Sequence, residues 1–306
     1  MSLALLARPA GLPPPWPDPQ SVTLRPATMR DAEACGRVLH AAQRDLASRH
    51  GVEPAFASAA VAAARAAGWL ADPAFFAVVA EHAGEVVGVG FLQERDEIRG
   101  IGPTAVAPRH QMAGIGRRLL RALLDRAEGA AGARLVQDAA AMPAAALHAA
   151  LGFEVKAPLL LLEGCPRDPA EPGEGVRPMR PEDVTACDAL HAAAHGVGRA
   201  QEIRHVLEAG APLVLERRNR IAAYLTAPED WQANHGAAET AADLIALLAG
   251  AARRGQGRLG LLVPSRQSDV LRWCLQAGMR AVKPMVLLAR GSYRVPARCW
   301  VPSGLY

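Results

Sequence analysis

Residues 104–120 read TAVAPRHQMAGIGRRLL and contain the most informative pattern in the chain. A β-rich run ends at a proline, a short loop follows, and Gly114-Ile-Gly116 opens a strongly helical run. Glycines at this point let backbone N–H groups approach a ligand closely, and the dipole of the helix start favours a phosphate. Three arginines in the first turns add positive charge: Arg117, Arg118 and Arg121. The stretch therefore predicts a phosphate-binding turn between a strand and a helix.

Two better-known phosphate-binding signatures do not fit this turn. Its glycines are not spaced as Gly-x-Gly-x-x-Gly, the pattern of dinucleotide-binding domains. No Gly-Lys-Ser/Thr follows, so it is also not the phosphate loop of nucleoside triphosphatases. The sequence thus argues against NAD- and ATP-binding enzymes of these kinds.

The chain contains an internal sequence repeat, and the glycine turn lies in the first of its two copies. LRPATMRD at 24–31, with Cys35, returns 152 residues later as VRPMRPED at 176–183, with Cys187. A strand, turn and strand at 78–88 return at 213–223, and 151–162 returns 126 residues later as 277–288. Three matches in the same order are hard to obtain from composition alone, so the chain is predicted to be an internal duplication.

Each copy is predicted to have the same order of helices and strands. In the first copy we expect a strand ending at 26, helices over 31–49 and 57–70, and strands over 75–81, 85–93 and 98–107. A helix over 114–129, a strand over 134–137, a helix over 144–151 and a strand over 153–162 complete it. The fold class is therefore α+β, with a mixed, mostly antiparallel sheet flanked by helices in each of two tandem domains.

Composition sets the domain boundaries and excludes several classes of function. We predict a disordered, Pro-rich lead-in over 1–20, a first domain over 21–163, a linker over 164–175 and a second domain over 176–306. The 306 residues carry a net charge of only +4 with no basic stripe, so nucleic acid is not an expected partner. No apolar run is long enough to span a membrane.

Cysteine and lysine usage adds a prediction about cellular context. The five cysteines are scattered without a CxxC pair, so neither a metal site nor a disulfide framework is expected, and a cytoplasmic location is predicted. Lys156 and Lys283 are the only lysines beside many arginines, and alanine is abundant, which indicates a GC-rich bacterial genome.

The turn and a second segment together resemble the GNAT acetyltransferase superfamily, specifically bacterial tandem GNAT proteins with a degenerate C-terminal copy. Gln111-Met-Ala-Gly-Ile-Gly116 matches that family's Q/R-x-x-G-x-G/A loop, and Leu147-His-Ala-Ala-Leu-Gly-Phe153 matches its L-Y-x-x-L-G-F segment. The resemblance implies acetyl-CoA as cosubstrate, with the pantetheine arm on the backbone of Thr104, Ala105 and Val106. The loop residues implied to bind the coenzyme are Gln111, Met112, Ala113, Gly114, Ile115, Gly116 and Arg117. The second copy lacks such a loop, so it is not expected to bind the coenzyme.

The same resemblance suggests candidates for acid–base catalysis. In many relatives a tyrosine of the L-Y-x-x-L-G-F segment protonates the leaving thiolate, and here His148 stands in its place. The base candidates are Glu94, Asp96 and Glu97, which lie in one turn, and Asp138, which follows the next strand. Glu94 and Glu97 are preferred, and a solvated acidic turn is the alternative interpretation. Ala141 and Ala144 stand where relatives often carry Asn and Ser.

The resemblance implies an N-acetyltransferase that transfers acetyl from acetyl-CoA to a primary amine by direct attack in a ternary complex. The alternative is a non-catalytic acyl-CoA-binding or interaction module. The acceptor is predicted to be a small-molecule or peptide amine, with aminoglycosides, amino acids, polyamines and protein N-termini all open. We expect a monomer or homodimer, with the second copy forming a wall of the acceptor cleft.

Overall fold

The computed structural model describes residues 21–167, 175–254 and 257–306. The lead-in predicted over 1–20 lies outside the described residues, as does most of the predicted linker. Across the described part of the chain, no helix is long and apolar enough to cross a membrane.

The first copy has the predicted order of elements, and most of them begin and end within three residues of the predicted bounds. They are β1 (Val22–Pro26), α1 (Ala32–His50), α2 (Ala59–Ala71), β2 (Phe75–His82), β3 (Glu85–Gln93), β4 (Ile98–Val106), α3 (Ile115–Arg126), β5 (Gly132–Asp138), α4 (Met142–Ala150) and β6 (Glu154–Gly164). Local signals fix several ends. Ser58 caps α2 by accepting a hydrogen bond from the Val61 N–H, and Ala83-Gly84 turns the β2–β3 hairpin with φ of 50° and 81°.

The second copy repeats this order, and its elements are shorter than their counterparts up to β10. They are β7 (Val176–Pro178), α5 (Val184–His195), α6 (Ala200–Ala209), β8 (Leu213–Arg217), β9 (Arg220–Leu225), β10 (Gly236–Ala238), α7 (Ala241–Arg254), β11 (Leu259–Pro264), α8 (Ser268–Gln276), β12 (Arg280–Gly291) and an added strand, β13 (Cys299–Val301). The hairpin turn corresponding to Ala83-Gly84 is Arg218-Asn219, which also has positive φ at both residues.

The sequence repeat corresponds to a repeated ion-pair network. Arg25 donates to both oxygens of Asp31 at 2.8 and 2.9 Å and to Glu81 at 2.9 Å. In the second copy Arg177 donates to Asp183 at 2.6 and 2.9 Å and to Glu216 at 2.8 Å. Each network ties the first strand of its copy to the start of the first long helix and to the second strand. The paired residues are therefore matched by structural role as well as by spacing.

The two copies do not keep separate sheets, because their last long strands are exchanged. One sheet has the order β1-β2-β3-β4-β5-β12-β6-β11, so that β12 of the second copy lies between β5 and β6 of the first. Leu159 of β6 faces Met285 of β12, its counterpart 126 residues later, which places a local pseudo-twofold axis at this pair. The copies thus share a continuous core across this junction, including Leu159, Leu161 and Met285.

The first copy contains a wedge where two strands separate. β4 and β5 pair with each other in parallel only from Ile98↔Gly132 to Gly100↔Arg134, and beyond that point they no longer pair with each other. In the second copy the corresponding strands are β10 and β11, and they do not pair. Instead β13 adds antiparallel to β10, from Gly236↔Val301 to Ala238↔Cys299. Gln267, just after β11, holds β13 from the other side through both the N–H and the C=O of Trp300.

Candidate active site

The glycine turn predicted from the sequence begins α3 at the open end of the wedge. Met112 and Gly114 have φ of 63° and 79°, and Gly114 is the residue that precedes the first helical turn. A Cβ on Gly114 would meet nothing within 4 Å, so its space stays open for a ligand, and its positive φ favours glycine. The Gln111 amide donates to the Val106 C=O at 3.0 Å and ties the loop to the end of β4. This geometry exposes the N–H groups of the first turn of α3.

The free edge of β4 faces into the same wedge. The Ala107 N–H donates to the Val87 C=O at 2.8 Å on the β3 side, and Val106 lies opposite Gly88 in that ladder. Because backbone groups alternate in direction along a strand, the N–H and C=O groups of Thr104 and Val106 point away from β3. They are therefore directed into the wedge, where an extended ligand could pair with them.

The three arginines of the turn do not act together. Arg117 lines the cleft and makes no ion pair within the described residues. Arg118 is turned away and donates to the Val22 C=O at 2.8 Å, while Arg121 is exposed and does not line the cleft. One arginine, rather than three, is thus available beside the exposed N–H groups of α3.

The wedge opens into a cleft of about 1730 Å³ that both copies line. The coenzyme loop, the unpaired parts of β4 and β5, and α4 line one end. Residues of α1 and α2 line the part away from the loop, and second-copy residues that include Trp231, Lys283 and Leu305 also line the cleft. All cofactor-binding residues predicted from the sequence lie along this cleft or its loop; Thr104, Ala105, Val106, Gln111, Met112, Gly114, Gly116 and Arg117 line it directly. Ala113 and Ile115 are buried beneath the loop.

His148 lines the cleft and is held by a buried hydrogen bond. Its Nδ1 lies 2.6 Å from Gln137 Oε1, and its ring packs edge-on against Phe153. The side-chain amide nitrogen of Gln137 faces the Asp138 C=O at 3.4 Å, so Oε1 accepts from His148 and Nδ1 carries the proton. Burial lowers the pKa of His148 to about 4. The imidazole is therefore neutral at pH 7, with Nε2 as a proton acceptor.

A buried ion pair between the copies lies on the same wall. Lys283 Nζ of β12 donates to Asp138 Oδ2 of β5 at 2.8 Å, with the side chains only 2% and 5% exposed. Lys283 also donates to the Glu53 C=O at 3.3 Å and lies 5.9 Å from the centre of the Trp231 ring. Asp138 Oδ1 is buried and has no hydrogen-bond partner in the described structure. Lys283 was not among the site residues predicted from the sequence, although its rarity as one of two lysines was a visible signal.

The three carboxylates of the acidic turn between β3 and β4 do not line this cleft, although Arg95 in the same turn does. Glu94 forms an ion pair with Arg126 of α3, and Glu97 is exposed; neither lines the cleft. Asp96 accepts hydrogen bonds from the N–H groups of Gln201 and Glu202 and so caps α6 of the second copy. The base positions preferred from the sequence, Glu94 and Glu97, therefore have no contact with the wedge, because their side chains are directed to α3 and to solvent.

No metal site accompanies the cleft: the described residues contain no cluster of three or more His, Cys, Asp or Glu side chains that could hold a metal ion.

Comparisons with known proteins match the first copy by sequence and both copies by fold. The sequence model of the acetyltransferase (GNAT) family matches residues 39–153. No curated protein sequence matches the chain. Among solved structures, a candidate acetyltransferase from Pyrococcus horikoshii is similar, with a TM-score of 0.70, 18% identity, and coverage of 89% of this chain and 90% of that one.

Two further structures are similar over nearly their whole lengths. A GCN5-related N-acetyltransferase from Sphaerobacter thermophilus has a TM-score of 0.58 and 20% identity, covering 94% of this chain and 98% of that one. A tandem GNAT protein from the clavulanic acid biosynthesis pathway has a TM-score of 0.55 and 17% identity, covering 89% and 98%. Residues 39–153 thus form a domain of the acetyltransferase (GNAT) family, and the chain as a whole has the tandem GNAT fold.

Proposed function

We propose that this protein is an N-acetyltransferase that transfers acetyl from acetyl-CoA to a primary amine by direct attack in a ternary complex. The observation that carries the proposal is the wedge between β4 and β5, which joins a glycine turn at one end to proton-accepting side chains on its walls. Acyl transfer from a thioester to an amine needs these features: a place for the coenzyme, and acceptors for the protons that the amine loses.

The residues of the wedge suit acetyl-CoA. The N–H groups at Gly114, Ile115 and Gly116 and the side chain of Arg117 would hold the pyrophosphate. The free edges of Thr104 and Val106 would pair with the amides of the pantetheine arm. Bound acetyl-CoA supplies the activated acetyl group.

Two side chains of the first copy then handle the protons. A primary ammonium must lose two protons to become an amide: one is released to solvent and the other ends on the thiol of the product. We propose that Asp138 Oδ1, an unpartnered acceptor beside the cleft on a carboxylate held by Lys283, takes the first proton from the ammonium and then releases it to solvent. His148 Nε2 accepts the second proton after the attack and returns it to the thiolate. The acid role expected for His148 is thereby kept, but it starts from the neutral imidazole.

The second copy serves the acceptor side and binds no coenzyme of its own. It has no glycine turn before α7, and β13 already occupies the edge of β10 that corresponds to the free edge of β4. Trp231, Lys283 and Leu305 instead line the cleft of the first copy. We therefore expect one coenzyme per chain. All five cysteines are unpaired, which supports the proposed cytoplasmic location.

The test uses the full-length protein. Calorimetry with acetyl-CoA should give one site per chain, and thiol release should depend on an added primary amine. Asp138→Asn and His148→Gln should each lower kcat about 10²–10⁴-fold while the affinity for acetyl-CoA changes little. His110→Gln is the matched control, because His110 lies outside the cleft lining. Binding without turnover on any amine would favour the non-catalytic acyl-CoA-binding module. Absence of binding would refute both functions that use the coenzyme and would leave the interaction module.

A further inference from the structure

Resting on the proposed function, we infer that the acceptor is a monoamine with an apolar, preferably aromatic, body, rather than a polycation such as a polyamine or an aminoglycoside. The inference comes from the charges and side chains at the end of the cleft away from the coenzyme loop.

The carboxylates of the cleft are already neutralised by protein cations. Five carboxylates line it: Asp72, Asp138, Glu202, Glu208 and Asp230. Asp72 is paired with Arg95 and lies 3.5 Å from His205, Asp230 is paired with Arg65 at 2.5 Å, and Glu202 is paired with Arg199 at 3.0 Å. Asp138 is paired through Oδ2 with Lys283. Within the described structure only Glu208, which is exposed, has no ion-pair partner.

This arrangement offers one place for an ammonium deep in the cleft. Asp138 Oδ1 is the acceptor that the ion pairs leave unused, and it lies on the wall where the proposed reaction occurs. A second or third ammonium on the same acceptor molecule would have to lose its hydration without gaining a carboxylate, which is costly. Polycations are therefore expected to bind at least about 100-fold more weakly than a monoamine.

Apolar and aromatic side chains form a continuous part of this end, beside polar residues that include Gln43, Arg49 and His50. Trp69 packs on Phe75 with ring centroids 6.3 Å apart and on Phe91 at 5.0 Å, which fixes an aromatic wall between α2 and β2. Trp231 of the second copy is only partly buried and faces the same cleft. Val61 is 51% exposed at its rim. Such surfaces gain energy by covering apolar area and offer little to a hydroxylated or charged molecule.

The inner limit of the apolar end is Leu305. A Cβ on Gly100 would come within 3.1 Å of Leu305 Cβ, so the segment rests directly on β4 where the wedge begins. The next residue holds the segment in place: Arg199 donates to the Tyr306 C=O at 2.9 Å, and the guanidinium groups of Arg199 and Arg134 lie 4.2 and 4.7 Å from the Tyr306 ring centre. Leu305 is thus a fixed wall that limits the size of the acceptor.

A panel of amines tests the inference on the full-length protein. With saturating acetyl-CoA, kcat/KM for 2-phenylethylamine should exceed that for spermidine and for kanamycin at least about 100-fold. The same order should appear in calorimetric titrations of the protein–coenzyme A complex, which need no turnover. Equal or tighter binding of spermidine or kanamycin, or no binding of 2-phenylethylamine, would overturn the inference. Failure of the protein to bind acetyl-CoA would instead refute the proposed function.

A size variant tests the wall. Leu305→Ala should raise the ratio of kcat/KM for tryptamine to that for 2-phenylethylamine about three- to tenfold, because it removes side-chain volume at the inner limit. Leu275→Ala is the control, since Leu275 is 47% exposed on α8 and does not line the cleft. An unchanged ratio in folded Leu305→Ala would exclude Leu305 as the limit. If that variant does not fold, the amine panel on the unmodified protein still decides the acceptor class.

Discussion

Replacing Lys283 by methionine tests both the buried ion pair and the exchange of strands, because Lys283 and Asp138 come from different copies. The pair is 2.8 Å long and both side chains are at most 5% exposed. Removing one partner of such a pair leaves an uncompensated buried charge, at a typical cost of about 3–5 kcal/mol. The loss of unfolding free energy in Lys283→Met should lie at the upper end of this range, since Asp138 Oδ1 has no other partner in the described structure.

The reciprocal change should cost less. In Asp138→Asn, Lys283 keeps the Glu53 C=O at 3.3 Å and the face of Trp231. The double variant removes both charges and leaves two neutral side chains in their place. Its loss of unfolding free energy should therefore be smaller than the sum of the single losses by about 2 kcal/mol or more.

Urea unfolding followed by circular dichroism measures the four free energies of the cycle. Asp269 and Arg272 provide the control pair: their side chains are 72% and 63% exposed at 3.1 Å, so their coupling should stay below about 1 kcal/mol. Additive losses at Asp138 and Lys283, within about 0.5 kcal/mol, would refute the contact between β5 and β12.

Three further predictions follow from the turn, the buried histidines and the exchanged strands. Gly116→Asp should abolish calorimetric binding of acetyl-CoA, whereas the uncharged isostere Gly116→Asn should bind far better. Both variants should fold, because a Cβ at this position meets only Leu147 at 3.4 Å and Val106 at 3.8 Å. Equal affinities of the two variants for acetyl-CoA would contradict the phosphate assignment. Burial lowers the pKa of His148 to about 4 and that of His195 to about 3, against about 6.5 in an unfolded chain. The neutral forms of the two histidines therefore contribute fully to the unfolding free energy above pH 6.5, and this contribution declines as the pH falls toward 4. In His148→Gln the loss of unfolding free energy between pH 7 and pH 4 should be smaller by roughly 3 kcal/mol, and an unchanged pH dependence in urea titrations would contradict this. A fragment of residues 1–165 should be insoluble or unfolded when expressed alone, because β12 separates β5 from β6, and co-expression with residues 166–306 should restore a soluble complex detectable by gel filtration.

The local features of the fold could be predicted from the sequence because each depends on neighbouring residues. Helix periodicity, the Ala83-Gly84 turn and the Gly114 start are all encoded within a few positions. The duplicated Arg25 and Arg177 networks could be matched by spacing alone, and their geometry agrees in detail. The order of strands in the sheet, by contrast, does not depend on neighbouring residues and could not be predicted from them. Residues 280–288 are apolar enough to form a strand in either neighbourhood, and nothing in their pattern selects β5 as a partner.

The residues of the candidate site also differ in whether neighbouring sequence or distant contacts define them. The glycine turn at 111–117 is a contiguous motif that the sequence shows directly, whereas the groups that we propose to accept protons and to face the acceptor depend on contacts over long sequence distances. Glu94 looked available from its position in a turn, but Arg126, 32 residues later, binds it. Asp138 was one of several acidic candidates, and its contact with Lys283 became visible only when β12 brought the two together.

The exchange of strands and the covered edge of β10 have a common structural basis. Because β12 pairs with β5, the chain that leaves β12 returns across the junction between the copies and adds β13 to β10. That strand covers the edge of β10 that corresponds to the free edge of β4, and its continuation places Leu305 against Gly100 in the first copy. If the edge of β10 were free, the chain after β13 would lack the support that brings Leu305 to Gly100. The one wedge that stays open and the side chain that we propose as its wall therefore depend on the same return of the chain across the junction.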